Sequence, residues 1–317
     1  MEKCGKKSAV MEKIRQLLLA FLLIFFMNQS AYASPKVLFL DDFGRIVELP
    51  RPAVRIVSLS DAHAENLVAV RAVKQIIGVG DTADPKWIPK NVERLSRPPI
   101  IEKLKELKTD LVIVGALWAS ENSAFMSALS ESELPFAVFA TPEFSSFEEY
   151  LRRFGRLTGR TRDSEHAFSV MMKSLQKTGV RSEKTDDPKV LIIAGADYAT
   201  CPKDSWASRI VEASGGVPLL KDGLLRTADS PLFVSYGQDE VSAIRDADVI
   251  LTLTGTGRSV KDLSRDDILN NPRMWRMEAV KKGRVWEIDA ATLMLPSLVR
   301  LEASLKECWT LIQRVPK

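Results

Sequence analysis

The sequence predicts an α/β protein of two parallel-sheet lobes joined by one long helix, with a ligand cleft between the lobes. Three observations carry this prediction. The stretch Thr161 to Thr178, TRDSEHAFSVMMKSLQKT, places Phe168, Met171, Met172 and Leu175 at helical spacing on one stripe. Asp163 and Glu165 in its first turn and Lys173 and Lys177 near its end suit the helix dipole, and Gly179 is a natural stop. On both sides of this stretch, short apolar runs of strand type alternate with helical patterns, which is the signature of parallel sheets. The chain has 317 residues, enough for two such lobes. One stiff strut permits rocking of the lobes but not a wide swing. Loops after the strands of a parallel sheet form the ligand crevice, and two facing lobes place it between them.

Taken in order, Val37 to Asp41 and Arg45 to Leu49 flank Asp42-Phe43-Gly44 as a short hairpin. Arg55 to Leu59 (RIVSL) is a buried-type strand, and Ser60 or Asp61 caps a helix running to about Val70. Gln75 to Val79 is the next strand, Asp81 to Pro99 a Pro-rich loop, and Ile101 to Lys108 a short helix. Leu111 to Val114 and Phe136 to Phe139 read as strands around a helix at Ser123 to Leu129, and a helix over Phe147 to Leu157 leads to the strut. Beyond the strut and the polar run Arg181 to Pro188, strands fall at Lys189 to Ala194, Val249 to Leu253 and Val285 to Ile288. Helices are expected at Ser205 to Ala213 (stopped by Gly215-Gly216), Glu240 to Arg245, Pro272 to Lys282 and Pro296 to Ile312. The resulting division is a leader at 1–33, an N-terminal lobe at 34–158, a connecting helix segment at 159–182 and a C-terminal lobe at 183–317.

The N-terminus has the layout of a secretory signal. Lys13 and Arg15 precede the apolar run LLLAFLLIFFM at 17–27, and the small-residue site Ala31-Tyr32-Ala33 follows. Eleven apolar residues are too few to span a bilayer, so cleavage after Ala33 and a periplasmic location are expected. Met11 opens a second, tidier signal, so the start lies at Met1 or Met11. The leader holds Lys3, Lys6, Lys7, Lys13 and Arg15 against Glu2 and Glu12, which accounts for +3 of the net charge of +4. A mature chain near +1 argues against binding nucleic acid through bulk charge. Two cysteines remain after cleavage, Cys201 and Cys308; a disulfide and two separate buried thiols are both open readings.

The chain lacks the motifs of the common catalytic and nucleotide sites. Gly78-Val-Gly80-Asp-Thr-Ala83 and Gly255-Thr-Gly257-Arg-Ser-Val260 follow strands, but Pro85 breaks the first and Val260 spoils the second, so both read as strand-end turns. There is no phosphate loop, no G-x-S-x-G elbow and no H-E-x-x-H. With only His63 and His166, a His-rich metal site is out of reach, and no resident metal or cofactor is expected. His166 lies opposite the apolar stripe and reads as a solvated residue. His63 follows a strand at the presumed cleft, where it either touches a bound metal centre or simply caps the helix.

Several stretches together carry a family resemblance: DDFGRIVELP at Asp41 to Pro50, RIVSLS at Arg55 to Ser60 with Glu65 five residues on, EKLKELKTDLVIV at Glu102 to Val114, and NPRMWRMEAVKKGRVWEID at Asn271 to Asp289. Their order and spacing resemble the helical-backbone (class III) periplasmic binding proteins of ABC importers for ferric siderophores, haem and cobalamin, over nearly the whole mature chain. The resemblance implies two lobes on one long helix, no catalysis, and a permease in the inner membrane as partner. It also implies a glutamate on the outer surface of each lobe that docks onto permease arginines; by position these are Glu65 and Glu240. Two carboxylates at fixed separation read out orientation and speed encounter more than they add affinity. The family usually has Pro where this chain has Asp61, and Thr or Ser where it has Ala64.

Candidate ligand residues come from strand-end loops: His63, Trp87, Trp118, Tyr198, Trp206, Arg226, Arg258 and Met294. Aromatic faces suit a macrocycle or catechol, and arginine pairs with carboxylate or phenolate oxygens. Trp206 is the weakest of these, since it opens a helix and can face the core instead. The expected protein is a monomeric carrier that captures an iron chelate, haem or cobalamin. An exported enzyme or a sensory protein on a similar two-lobed fold is the alternative, against which stands the lack of a paired nucleophile and base.

Overall fold

A computed structural model describes residues 36–178, 187–219, 226–227 and 230–314. The leader, Gly179 and most of the polar run after it lie outside the described residues. Among the described residues no helix is long and apolar enough to cross a membrane.

The first half opens with a hairpin, β1 (Val37–Leu40) and β2 (Ile46–Leu49), turned at Gly44 with φ 73°. There follow β3 (Ile56–Ser58), α1 (Asp61–Ala69), β4 (Ile76–Gly80), β5 (Glu93–Leu95), α2 (Ile101–Glu106), β6 (Leu111–Gly115), α3 (Ala116–Glu121), α4 (Ser123–Glu131), β7 (Phe136–Phe139) and α5 (Phe147–Thr158). The strands form a parallel sheet in the order β5-β4-β3-β6-β7. Then comes the strut, α6 (Thr161–Thr178). The second half runs β8 (Lys189–Ile193), α7 (Trp206–Ala213), β9 (Val217–Pro218), β10 (Arg226–Thr227), β11 (Ser230–Val234), α8 (Gln238–Ala243), β12 (Val249–Thr254), α9 (Arg265–Leu269), α10 (Glu278–Lys281), β13 (Val285–Asp289), α11 (Ala290–Met294) and α12 (Leu301–Ile312). Its main sheet is parallel, in the order β13-β12-β8-β9. The sequence thus predicts the fold class correctly: two parallel sheets, one on each side of a long helix.

Strand alternation decides what the sheets cover. Ile113 and Phe139 of the first sheet and Ile192 and Leu251 of the second belong to one buried cluster that also takes in Met171 of the strut. Their sequence neighbours Val112, Val114 and Val138, and Leu191, Ile193 and Ile250, fill two separate outer clusters under the flanking helices. The strut packs on α5 of one half and on α7 and α12 of the other. Met171 is 1% exposed, and burying a side chain of that size contributes ~1.5–3 kcal/mol. His166, on the opposite side, is exposed as expected.

Four expectations for the elements need correction. The predicted loop Asp81 to Pro99 contains the edge strand β5. The predicted helix Pro272 to Lys282 is helical only over α10; before it, successive three-residue turns bury Met274 and Met277, whose spacing imitates a helix. The closing helix begins at Leu301 rather than Pro296, leaving 296–300 as a connector. Short strands β9, β10 and β11 were not foreseen, because two to five residues give no readable period.

Cys201 and Cys308 are free thiols, so the disulfide reading is set aside. Both are fully buried, Cys201 in the loop after β8 and Cys308 on α12, and burial pushes both thiols up to about 12. Cys201 Sγ lies against Met294 Sδ at 3.1 Å.

Candidate functional site

In each sheet the strand order reverses at one point, β3/β6 in the first and β8/β12 in the second, and the loops leaving those strands flank a crevice. The two crevices are lined very differently.

At the first, a row of side chains joins four successive loops. Thr82 Oγ1, after β4, donates to Asp61 Oδ1, after β3, at 3.1 Å. Arg97, after β5, donates from Nη1 to Thr82 Oγ1 at 2.7 Å. The Arg97 guanidinium also lies 5.7 Å from the ring centroid of Trp118, after β6. Trp118 is half-buried and held edge-on by Phe125 at 5.4 Å. Arg97 Nε is buried and has no hydrogen-bond partner among the described residues. Trp118 was a candidate; Arg97 and Thr82 were missed. Had Glu93–Leu95 been recognised as a strand, Arg97 would have fallen at the sheet's ligand edge.

At the second crevice the chain fills the space itself. Arg258, from the loop after β12, makes two hydrogen bonds to Asp197, after β8, at 2.8 and 2.6 Å, and a third to the Ala194 carbonyl. Its side chain is 1% exposed, so this candidate ties the two loops together rather than projecting into a cleft. Tyr198 is buried as well. It sits at φ 56°, a left-handed conformation costing of order 1–3 kcal/mol, which turns its ring into the outer core. There its hydroxyl accepts from Asn271 Nδ2 at 2.8 Å and Gln238 Nε2 at 3.4 Å. Met294 is half-buried against Cys201. Arg226 lies in β10, opposite Val234; its side chain is outside the described residues.

The remaining candidates lie where the two halves meet. Trp206 is 5% exposed and stacks on Phe147 at 5.1 Å, with Phe144 at 6.4 Å, and Ser145 Oγ beside them donates to Asp204 at 2.7 Å. It faces the inter-lobe core, as the weaker reading of it allowed.

His63 is 2% exposed, not at an open cleft. Its Nε2 lies 3.1 Å from the Phe139 carbonyl and its Nδ1 2.8 Å from Tyr150 Oη. A carbonyl only accepts, so Nε2 carries the proton and Tyr150 donates to Nδ1. Asn66 Nδ2 donates to Tyr150 Oη at 3.2 Å and to the Pro296 carbonyl at 2.7 Å, while Asn66 Oδ1 accepts from Leu298 N at 3.0 Å. Burial holds the imidazole neutral, at a pKa of about 4, with Arg153 lowering it further and the Phe139 carbonyl and Asp42 opposing.

Glu65 corrects the expectation of an outer-surface carboxylate. It is 0% exposed and receives Arg300 Nε at 2.7 Å and Nη2 at 2.5 Å, a bidentate pair across the two halves. Arg300 Nη2 also lies 3.5 Å from Asp84, and its guanidinium 5.7 Å from the Trp87 ring, which Lys86 approaches at 4.5 Å. Trp87 is half-buried there. Burial pulls the Arg300 pKa down, but the bonds and charges of Glu65 and Asp84 leave it above its ordinary value. Glu240, by contrast, is exposed in the first turn of α8.

Two parallel sheets with facing crevices on one connecting helix define a two-lobed binding-protein fold. The chain belongs to the periplasmic binding protein family, whose pattern matches residues 56–292. Among solved structures it is similar to a periplasmic binding protein from Veillonella parvula, with 16% identity, a TM-score of 0.71 and coverage of 90% of this chain and 100% of that one. A possible iron-binding (periplasmic solute-binding) protein from Staphylococcus epidermidis has 17% identity and a TM-score of 0.68, with 82% and 98% covered. The S. aureus protein IsdE in complex with heme has 20% identity and a TM-score of 0.61, with 82% and 98% covered. No curated protein sequence matches.

Proposed function

We propose that the mature chain, residues 34–317, is the non-catalytic, monomeric substrate-binding component of an ABC importer, exported to the periplasm and cleaved after Ala33. Its lobes are residues 34–158 and 183–317, joined by the segment 159–182. It captures an iron chelate, haem or cobalamin and hands it to an inner-membrane permease, with Glu240 as the docking carboxylate of the second lobe. Family membership supports the carrier role, and relatives of the same fold are described as iron-binding or hold heme.

The observation that carries the ligand class is the Arg97–Trp118 pair at the first crevice. A cation set against an indole face suits an anionic ligand with a flat or aromatic face: a haem with propionates or an anionic ferric siderophore, ahead of neutral cobalamin. The test is a tryptophan-fluorescence titration of residues 34–317 with haemin, cyanocobalamin and a panel of ferric siderophores. Saturable one-to-one quenching by one anionic ligand, weakened at least about tenfold by Arg97→Ala, is expected. Silence across the panel from folded protein overturns the reading.

A further inference from the structure

The segment Gly78-Val79-Gly80, which in the sequence imitates part of a nucleotide fingerprint, is the end of β4. Neither glycine takes a left-handed backbone, so the path of the chain requires neither. A glycine inside a strand weakens it and marks a place where another group approaches closely. Here the neighbour is β5, in parallel register, with Gly78 opposite Glu93 and Gly80 opposite Leu95. An added Cβ at Gly78 would stand 3.1 Å from Leu95 Cδ1 and 3.2 Å from Val57 Cγ2, both in the outer apolar core. At Gly80 the three nearest atoms would all belong to Arg97: Cδ at 2.7 Å, Cγ at 3.3 Å and Nε at 3.5 Å. Carbon atoms pack at about 3.5–4.0 Å, so the Arg97 stem lies where a side chain at residue 80 would begin. Leu95 covers the first glycine, and Arg97, two residues on, covers the second.

We propose that Gly80 is a positioning residue for ligand recognition: its bare Cα seats the stem of Arg97 and so holds the guanidinium beside Trp118 at the first crevice. From that seat Arg97 Nη1 donates to Thr82 Oγ1 at 2.7 Å, and Thr82, two residues after Gly80, donates in turn to Asp61 Oδ1 at 3.1 Å. The guanidinium carbon lies 5.7 Å from the Trp118 ring centroid. A free arginine side chain has many rotamers, and fixing one of them on binding opposes affinity. A stem held on Gly80 and a head held by Thr82 leave a ligand less to order. A methyl group at residue 80 takes the seat away, and the atoms nearest to it are side-chain atoms of Arg97 rather than backbone. Arg97 must then swing aside while β4 keeps its place. Position 80 therefore decides whether the crevice presents this positive charge at all. The consequence for binding rests on the reading of Arg97 and Trp118 as the ligand's anchor given above, whereas the seat itself does not.

The test uses purified residues 34–317 with isotope-labelled arginine, as the unmodified protein, Gly80→Ala, Arg97→Ala and the double variant. The magnetic resonance signal of the Arg97 Nε–H group is identified by its loss in Arg97→Ala. In Gly80→Ala this signal should move, and its proton should exchange with water at least about tenfold faster, because the buried Nε has left its place. Affinities for haemin and for a ferric tris-catecholate are read by tryptophan quenching. Gly80→Ala should weaken the tighter of the two at least about tenfold. On the Arg97→Ala background the same change should alter that affinity less than about twofold, since the residue it acts through is gone. A general loosening of β4 would instead weaken binding equally on both backgrounds. Urea unfolding establishes that each variant is folded. Should Gly80→Ala alone fail to fold, recovery of the fold in the double variant shows that Arg97 is what the methyl group strikes, and a double variant equally unfolded overturns the seat. An unmoved Arg97 signal in folded Gly80→Ala, or equal weakening with and without Arg97, overturns the proposal. If neither ligand binds the unmodified protein, the ligand reading falls, and the Arg97 signal decides the seat by itself.

Discussion

His63, Tyr150 and Asn66 form a row in which each proton has one place: on His63 Nε2 toward Phe139, on Tyr150 toward His63, and on Asn66 toward Tyr150 and Pro296. A second proton on His63 would give Tyr150 two donors and leave its own hydroxyl proton unpaired. The depressed pKa is therefore a stability statement. His63 titrates at about 4 in the fold against 6.5 in the unfolded chain, so below pH 6.5 the unfolded chain binds a proton that the fold does not. The contribution is complete above pH 6.5 and is lost as pH falls toward 4, amounting to about 3 kcal/mol. Urea unfolding at pH 7.5 and 4.5 should show this loss, and the difference should shrink in His63→Gln. Asn66→Asp keeps the shape but removes both donors, and should destabilise by about 2–4 kcal/mol in the same assay. A cost under 0.5 kcal/mol would mean the row is not formed. At this scale the sequence marks Glu65 and His63 by position but not by environment. Glu65's partner is a single arginine 235 residues on, and Tyr198's left-handed backbone, which decides where its ring goes, has no local signal.

Among the elements, the α5–α6 junction sets how the strut leaves the first lobe. Gly159 takes the left-handed conformation, φ 69°, that ends α5. Gly155, inside α5, lets α6 approach so closely that an added Cβ would stand 3.0 Å from the Thr161 Cα and collide with the Ser164 side chain. Alanine normally favours a helix interior, but here backbone would have to move. Gly155→Ala should destabilise by about 1–3 kcal/mol, read as a lowered urea midpoint; a raised midpoint would show that the crossing is loose. The strut itself was legible to the residue, because eighteen residues sustain a helical period. Elements of two to five residues were not, and the turns around Met274 and Met277 reproduced a helical spacing without a helix.

Across the whole molecule, the tryptophans divide by place. Trp206 is sealed between the lobes, and Trp275 and Trp309 stand on the exterior at 56% and 50% exposure, while Trp118 alone sits beside Arg97 at the first crevice. Ligand quenching should therefore be lost mainly in Trp118→Phe and persist in Trp309→Phe; equal loss in both would move the ligand elsewhere. Two-lobed architecture was legible because alternating periods on both sides of a long helix admit few folds. The lining of each crevice was not, since Arg258 and Asp197 meet only once the strand order is known.

The inner faces of both sheets and Met171 of the strut share one continuous buried cluster. The molecule has two sheets but one interior, and this bears on how it comes apart. A protein expressed from residues 34–158 alone would carry half of that interior bare into water and should be recovered as aggregate. In calorimetry the full chain should melt once, with van't Hoff and calorimetric enthalpies in agreement. The two lobes should therefore live or die as one cooperative unit.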